Sequence, residues 1–288
     1  MIKTWTGERL ETFVNKDTAT QHLHRYALAI DFIKGKRVLD IASGEGYGSN
    51  LMSKYAAGVI GVDIDEAAIN AAIEKYKAGN LEFRLGKADD IPVPDNSMDV
   101  VISFETLEHH DRHHEMMKEI KRVLRNDGIL IMSTPEKKAY SDDARHVNPF
   151  HVKELYLHEF KDLINNYFTD VHFYFQDIFK GSLIIPENES TKYTIYEGDF
   201  REINPAKSFS PKYVLSIASD TALPEYKKMS AFNGQNILIM EQQELLEKNR
   251  TQVREDTIRW IKSSWSFRIG EAIVAPARMV KKMIRFKK

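Results

Sequence analysis

The sequence predicts a doubly wound α/β fold followed by a C-terminal helical extension, and three observations carry that reading. Apolar runs of strand length recur at residues 36–41, 58–62, 81–85, 98–104 and 129–133, with stretches of helical periodicity between most of them. The run at 98–104 is apolar at nearly every position, which suits a strand buried on both faces of a parallel sheet. The first run opens into Gly44, Gly46 and Gly48, a turn placed where open α/β sheets hold their ligands.

Taken in order, residues 1–21 are polar apart from isolated Trp5, Leu10 and Phe13, and read as an N-terminal flap. A main domain is expected over 22–220. It begins with a helix, 22–33, that packs on the sheet, and strand one follows. A helix over 49–57 leaves the glycine turn with its N-terminal amides facing any bound molecule. Strand two leads to Asp65, which caps a helix over 66–77 with Ala68, Ile69, Ala72 and Ile73 on its apolar side. After strand three come a loop with Pro92 and Pro94, strand four, and a helix over 114–124 ended by Asn126, Asp127 and Gly128. Strand five, a loop over 134–149 and a helix over 152–165 follow; residues 171–175 and 213–218 read as two more strands, with an insertion over 177–211. Residues 236–261 form a charged helix whose Ile239, Leu246, Val253 and Trp260 stand seven apart, but Gln242, Asn249 and Asp256 interrupt the coiled-coil pattern.

Charge and composition narrow the function. Lys and Arg total 41 against 42 Asp and Glu in 288 residues, so bulk attraction to nucleic acid is not expected. The absence of cysteine excludes disulfides and thiolate metal sites and fits a cytoplasmic protein. The opening MIKTWTGERLET lacks the apolar centre of a signal peptide, and no run reaches the roughly 18 apolar residues of a membrane span. Residues 262–288 are basic and amphipathic, with Arg268, Arg278, Lys281, Lys282 and Arg285 among them. They suit an anionic membrane surface, on its inner face, or a protein partner such as a glycosyltransferase.

The glycine turn alone does not choose a ligand, because nicotinamide and flavin enzymes use similar turns. Two carboxylates sharpen it. Asp40 lies inside strand one, where it faces a cationic ligand group, and Asp63 ends strand two at the distance from the turn at which an acid meets a ribose diol. VLDIASGEGYGS, VIGVDID, ADDIPVPDNSMDVVISFETLEHH and VLRNDGILIMSTP, in that order, resemble the successive motifs of class I S-adenosylmethionine-dependent methyltransferases. The resemblance covers roughly residues 20 to 180, and the GxGxG spacing favours the methyl donor over NAD. It implies a Rossmann-like core, a mostly parallel sheet with an antiparallel last strand, and S-adenosylmethionine as cofactor.

The same resemblance assigns residues. Asp40, Ala42, Gly44, Gly46 and Gly48 would hold the methionine part of the donor, and Asp63 with Ile64 the ribose. One of Asp89 and Asp90 would meet the adenine amine while Ile91 covers the ring; Phe104 and Glu105 end strand four, at the reacting centre. Arg25 and Tyr26 either close over the donor carboxylate or simply pack the first helix. His109 is a candidate general base or a loop-orienting histidine. His146 and His151 either touch substrate or sit in a loop capped by Asn148, and Arg145 is a candidate partner for an anionic group. The HHDRHH run invites a metal, but neighbours at a helix start diverge, so no metal is expected there. TGER, HRY and the SSWSFRIG tail resemble segments of bacterial surface-polysaccharide (O-antigen) methyltransferases, which implies a sugar hydroxyl or sugar phosphate acceptor on a glycan or glycolipid. The alternatives are a quinone or lipid acceptor, and a scaffold that has lost turnover.

Overall fold

The structure, a computed structural model, describes residues 16–145, 147–179, 181–189, 196–198, 203–205, 211–224, 229–233, 235–270 and 274. The first helix, α1 (Lys16–Ile33), is longer than its apolar periodicity implied, so residues 16–21 are helix and only 1–15 of the expected flap lie outside the described residues. Then come β1 (Arg37–Ile41), α2 (Tyr47–Ser53), β2 (Gly58–Asp63), α3 (Glu66–Lys75), β3 (Leu81–Leu85), β4 (Met98–Phe104), α4 (His113–Val123) and β5 (Leu124–Pro135). They are followed by α5 (Leu157–Asn165), β6 (Asp170–Phe179), β7 (Gly181–Pro186), β8 (Tyr196–Gly198), β9 (Ile203–Pro205), β10 (Tyr213–Ser219), β11 (Ser230–Phe232) and α6 (Gln235–Ser263).

Among the described residues, nine strands form one sheet in the order β11-β7-β6-β10-β5-β4-β1-β2-β3. From β3 to β5 all pairs are parallel. Strand β10 runs antiparallel to both β5 and β6, as expected of the last strand. The stretch expected as an insertion contributes to the sheet: β7 pairs antiparallel with β6 and then with β11, and β8 with β9 makes a separate ribbon. His24 of α1 ties this extension down through Ser182 Oγ at 2.9 Å and Ser230 Oγ at 3.0 Å.

Side-chain parity sorts the core into two layers. Leu39, Ile41, Val101, Leu130 and Met132 join Met116, Ile120, Phe160 and Ile164 of α4 and α5. Their strand neighbours Val38, Val100, Ile102 and Ile131 join Tyr26, Ala29, Phe32 and Met52 of α1 and α2. Both faces of the central strands are therefore dry, which is why β4 carries so little polarity.

Among the boundaries that differ from expectation, two have clear local causes. The helix expected from residue 152 starts at Leu157, because the amides of Val152 and Lys153 donate to the Glu108 carbonyl at 2.8 and 3.1 Å. Strand β5 begins at Leu124 rather than 129, since Leu124 pairs with Met98 across a register shift. The chain divides into two compact units, Met1–Gly234 and Gln235–Lys288, the second consistent with a helical extension.

Candidate active site

The chain runs outward from β1 to β2 and β3, then returns to place β4 on the other side of β1. That reversal leaves a crevice at the carboxyl ends of the strands. A cavity of about 690 Å³ fills it, walled by residues following β1, β2, β3, β4 and β5 and by Tyr213 at the start of β10.

Asp63 is the hinge of the first wall. It is 5% exposed, and its two carboxylate oxygens accept the amides of Gly44 at 2.8 Å and Asp65 at 2.9 Å. These bonds lock the glycine turn to the end of β2, and the carboxylate still reaches the cavity. Ala42, Gly44 and Ile64 line the same wall, with Ile64 as an apolar lip at 66% exposure. Gly46 and Gly48 serve packing instead. A Cβ on Gly46, at φ 79°, would stand 2.5 Å from the Phe83 ring, and one on Gly48 2.0 Å from that of Tyr26.

Several expected contacts are displaced. Asp40 is not part of the cavity wall: it is buried behind it and accepts the Ser49 hydroxyl at 2.6 Å. Burial pushes its carboxyl up to about 7, against the Ser49 bond and with help from the Asp63 charge. Of Asp89 and Asp90, Asp89 lines the cavity and pairs with Arg112, whereas Asp90 is exposed in a turn. Ile91 lies in the core with Val93 and Met98, and its place on the wall is taken by Ala88. Arg25 is wholly buried rather than closing over a ligand. Its Nε donates to Gln176 Oε1 at 2.7 Å, its guanidinium lies 4.5 Å over Tyr213, and Nη1 is 3.1 Å from Glu105 Oε1. That last contact is one of charge, off hydrogen-bond alignment. Tyr26 and Phe104 do line the cavity, ring to ring at 5.2 Å.

Glu105 sits at φ 55° and accepts the Ser133 hydroxyl at 2.7 Å, so Arg25 and Ser133 hold its carboxylate at the cavity edge. Glu108, His109 and His151 line the opposite part. Glu108 is 1% exposed, accepts Thr134 Oγ1 at 3.1 Å, and is pushed well up by burial, with the charge of Glu105 adding to the effect. His109 Nδ1 meets the Phe150 carbonyl at 3.1 Å; a carbonyl only accepts, so Nδ1 carries the proton and Nε2 is the basic nitrogen. Nε2 lies 4.0 Å from Glu108 Oε1. His151 packs edge-on to His109 at 5.2 Å and stacks on Tyr140 at 5.4 Å.

His146 lies outside the described residues. Arg145, exposed at φ 50°, does not line the cavity. Of the HHDRHH run, His110, His113 and His114 diverge. His113 is buried rather than solvated and donates to the Leu107 and His110 carbonyls, His110 contacts Met116, and His114 meets Tyr167. Sequence reasoning missed His22, Tyr47, Tyr140 and Tyr213. Their rings line the cavity, but nothing in their spacing marks them. Burial and the nearby Arg25 hold His22 neutral, down to about 3, and it contacts the Tyr47 hydroxyl at 3.0 Å.

The family model described as methyltransferase domain matches residues 39–132. A probable S-adenosylmethionine-dependent methyltransferase of Mycolicibacterium smegmatis is 37% identical over 131 residues, 45% of this chain and 50% of that protein. A fatty-acid O-methyltransferase of the same species is 32% identical over 113 residues, 38% of this chain and 41% of that protein. The chain thus spans half or less of each of these relatives. The crystal structure of YcgJ protein from Bacillus subtilis is similar with a TM-score of 0.53 at 20% identity, covering 70% of this chain and all of that one, a likeness of fold. Residues 39–132 match a methyltransferase domain, and the sheet has the Rossmann-like fold of class I methyltransferases.

Proposed function

We propose that the chain transfers a methyl group from S-adenosylmethionine to the hydroxyl of a polar acceptor, a sugar of a glycan or glycolipid in the first place. The observation that carries this is one cavity with two unlike walls: Gly44, Asp63, Ile64 and Asp89 on one, Glu108, His109, Tyr140 and His151 on the other. The first wall fits the donor. The Asp63 carboxylate accepts two amides and retains acceptor capacity for a ribose diol, while Ile64 and Ala88 offer apolar cover for a purine.

S-adenosylmethionine, when bound, supplies an electrophilic methyl group on a sulfonium sulfur. The chain's own residues align the acceptor with it, which is the larger part of catalysis in such a displacement. His109 is the group placed to take the acceptor's proton, through Nε2. Glu105, Thr106, Glu108, Tyr140 and Asn148 also line the cavity, while its Arg112 is paired with Asp89 and its Lys87 follows β3, which favours a hydroxyl over an anionic phosphate. Their hydrogen-bonding character suits a polyhydroxylated ring. The name of the fatty-acid relative favours a second reading, a lipid oxygen as acceptor.

Calorimetric titration with S-adenosylmethionine, followed by labelled donor and a panel of lipid-linked oligosaccharides, free oligosaccharides and fatty acids, tests the reading. No donor binding would leave only a scaffold with this fold. In the same titration Asp63→Ala is expected to weaken the donor by about 1–3 kcal/mol through lost charge-assisted hydrogen bonds. Unchanged affinity in the folded variant would remove Asp63 from the donor site.

The tail belongs to the same proposal. No helix among the described residues is long and apolar enough to cross a membrane. Trp265 and Phe267 are exposed at 79% and 38%, while residues 271–273 and 275–288 lie outside the described residues. Basic residues near an anionic bilayer each add about 1 kcal/mol. The full chain is expected to float with anionic vesicles at low salt, to be released by high salt, and to stay in solution when cut after Trp260. A chain that ignores such vesicles at low salt points to docking on a protein, such as a glycosyltransferase.

A further inference from the structure

We propose that Glu108, His109 and His151 form a binding site for one divalent first-row cation, Zn²⁺ foremost, in the acceptor half of the cavity. The inference rests on the methyltransferase reading and names what would activate the acceptor hydroxyl there.

The three side chains come from the segment after β4 and the loop after β5, far apart in sequence, and all line the cavity. One ligand atom from each lies within 4.8 Å of the other two. Ligands held at about 2.0–2.1 Å from one ion stand roughly 3.3 Å apart in a tetrahedron, so side-chain rotation of about 1 Å closes the set. Two imidazoles and a carboxylate leave a further position open to substrate, and nitrogen ligands select Zn²⁺ over Mg²⁺.

The outer contacts are those that metal-binding histidines require. His109 Nδ1 donates to the Phe150 carbonyl at 3.1 Å. His151 Nδ1 donates to Glu154 Oε1 at 2.5 Å, and Ser141 Oγ orients the same oxygen at 2.8 Å. Asn148 fixes the remaining nitrogen. Its Oδ1 accepts the Phe150 amide at 3.0 Å, so its NH₂ faces His151 Nε2 at 2.8 Å, and that nitrogen is an acceptor. Both histidines are thereby held as the Nδ1–H tautomer with a basic Nε2, and metal binding exchanges the Asn148 N–H for the cation at His151. Glu108 supplies the charge. A carboxylate at 1% exposure that accepts the neutral Thr134 hydroxyl is costly to bury ionised, and a cation beside it offsets that cost.

A cation here would bind the acceptor hydroxyl and acidify it. The O–H proton passes to water, the oxygen forms a bond to the methyl carbon, and the carbon–sulfur bond breaks with its electron pair staying on sulfur. No oxidant or reductant enters. His109 then acts as a ligand, and the cation takes over the removal of the proton.

Equilibrium dialysis of the chelator-treated full chain against Zn²⁺, with Co²⁺ as a spectroscopic substitute, tests this. The expected result is one ion per chain, with affinity falling by more than about 100-fold in Glu108→Gln and in His151→Ala, and about 10–100-fold in Glu154→Gln. His114→Ala, in the HHDRHH run, should bind as the parent does. Equal affinity in the parent, Glu108→Gln and His151→Ala, or loss of the ion in His114→Ala alone, overturns the site. S-adenosylmethionine titrated into the same samples separates the two readings. Donor binding without Zn²⁺ binding sinks the metal site alone. Zn²⁺ binding that follows the expected variants, without donor binding, upholds the metal site and sinks methyl transfer.

Discussion

His109→Ala is expected to lower turnover on a hydroxyl acceptor by about 10²–10⁴-fold, with donor affinity close to that of the parent. The separation of the two effects follows from the cavity. His109 is held by the Phe150 carbonyl after β5, whereas Asp63, Gly44 and Ile64, the contacts proposed for the donor, follow β1 and β2. Removing the imidazole therefore takes away proton removal, or a ligand of the proposed cation, and leaves the ribose site intact. Single-turnover rates with labelled donor, beside a donor titration, measure both. Wild-type turnover in the variant would exclude His109 from the chemistry, and a matching fall in donor affinity would place it on the wrong wall.

Arg25→Ala is expected to cost about 3–5 kcal/mol of stability, a fall in Tm on the order of 10 °C. The side chain is wholly buried and is shared by Gln176, Glu105 and the Tyr213 ring, so its loss strands a carboxylate near the cavity floor. Arg25→Lys should recover little, because an ammonium keeps the charge but loses the planar fork that spans Gln176 and Glu105. Urea unfolding of both variants measures this. A loss below about 1 kcal/mol would mean the pair contributes no more than an exposed one.

How much of this the sequence reveals depends on how local the cause is. The bounds of β3 and β4 and the Asp65 cap of α3 are legible, since a buried strand and a side chain accepting the Ala67 amide at 2.7 Å write themselves into adjacent residues. Asp63 and the glycine turn are legible for the same reason. The late start of α5 is not, because it depends on a carbonyl 44 residues upstream, at Glu108. Nor is the Arg25–Glu105 pair, joined across 80 positions, or the rings of Tyr140 and Tyr213, which meet at 6.0 Å only once β10 lies beside β5. Gly46 and Gly48 carry a demand that composition does not reveal: a Cβ on either would meet the Phe83 or the Tyr26 ring.

The two walls of the cavity have a consequence for how such a chain changes over time. The donor grip is written within residues 39–132, the stretch that matches the methyltransferase domain. Glu108 and His109 of the facing wall fall inside it too, whereas Pro135, Tyr140, Asn148, His151 and Tyr213 lie downstream. On the proposed reading, insertions and substitutions between β5 and α5 would alter the acceptor contacts while Gly44, Asp63 and Asp89 stay the same. On that reading the loop at 136–156 is the segment a protein engineer would transplant first to change the acceptor, with Glu108 and His109 kept in place.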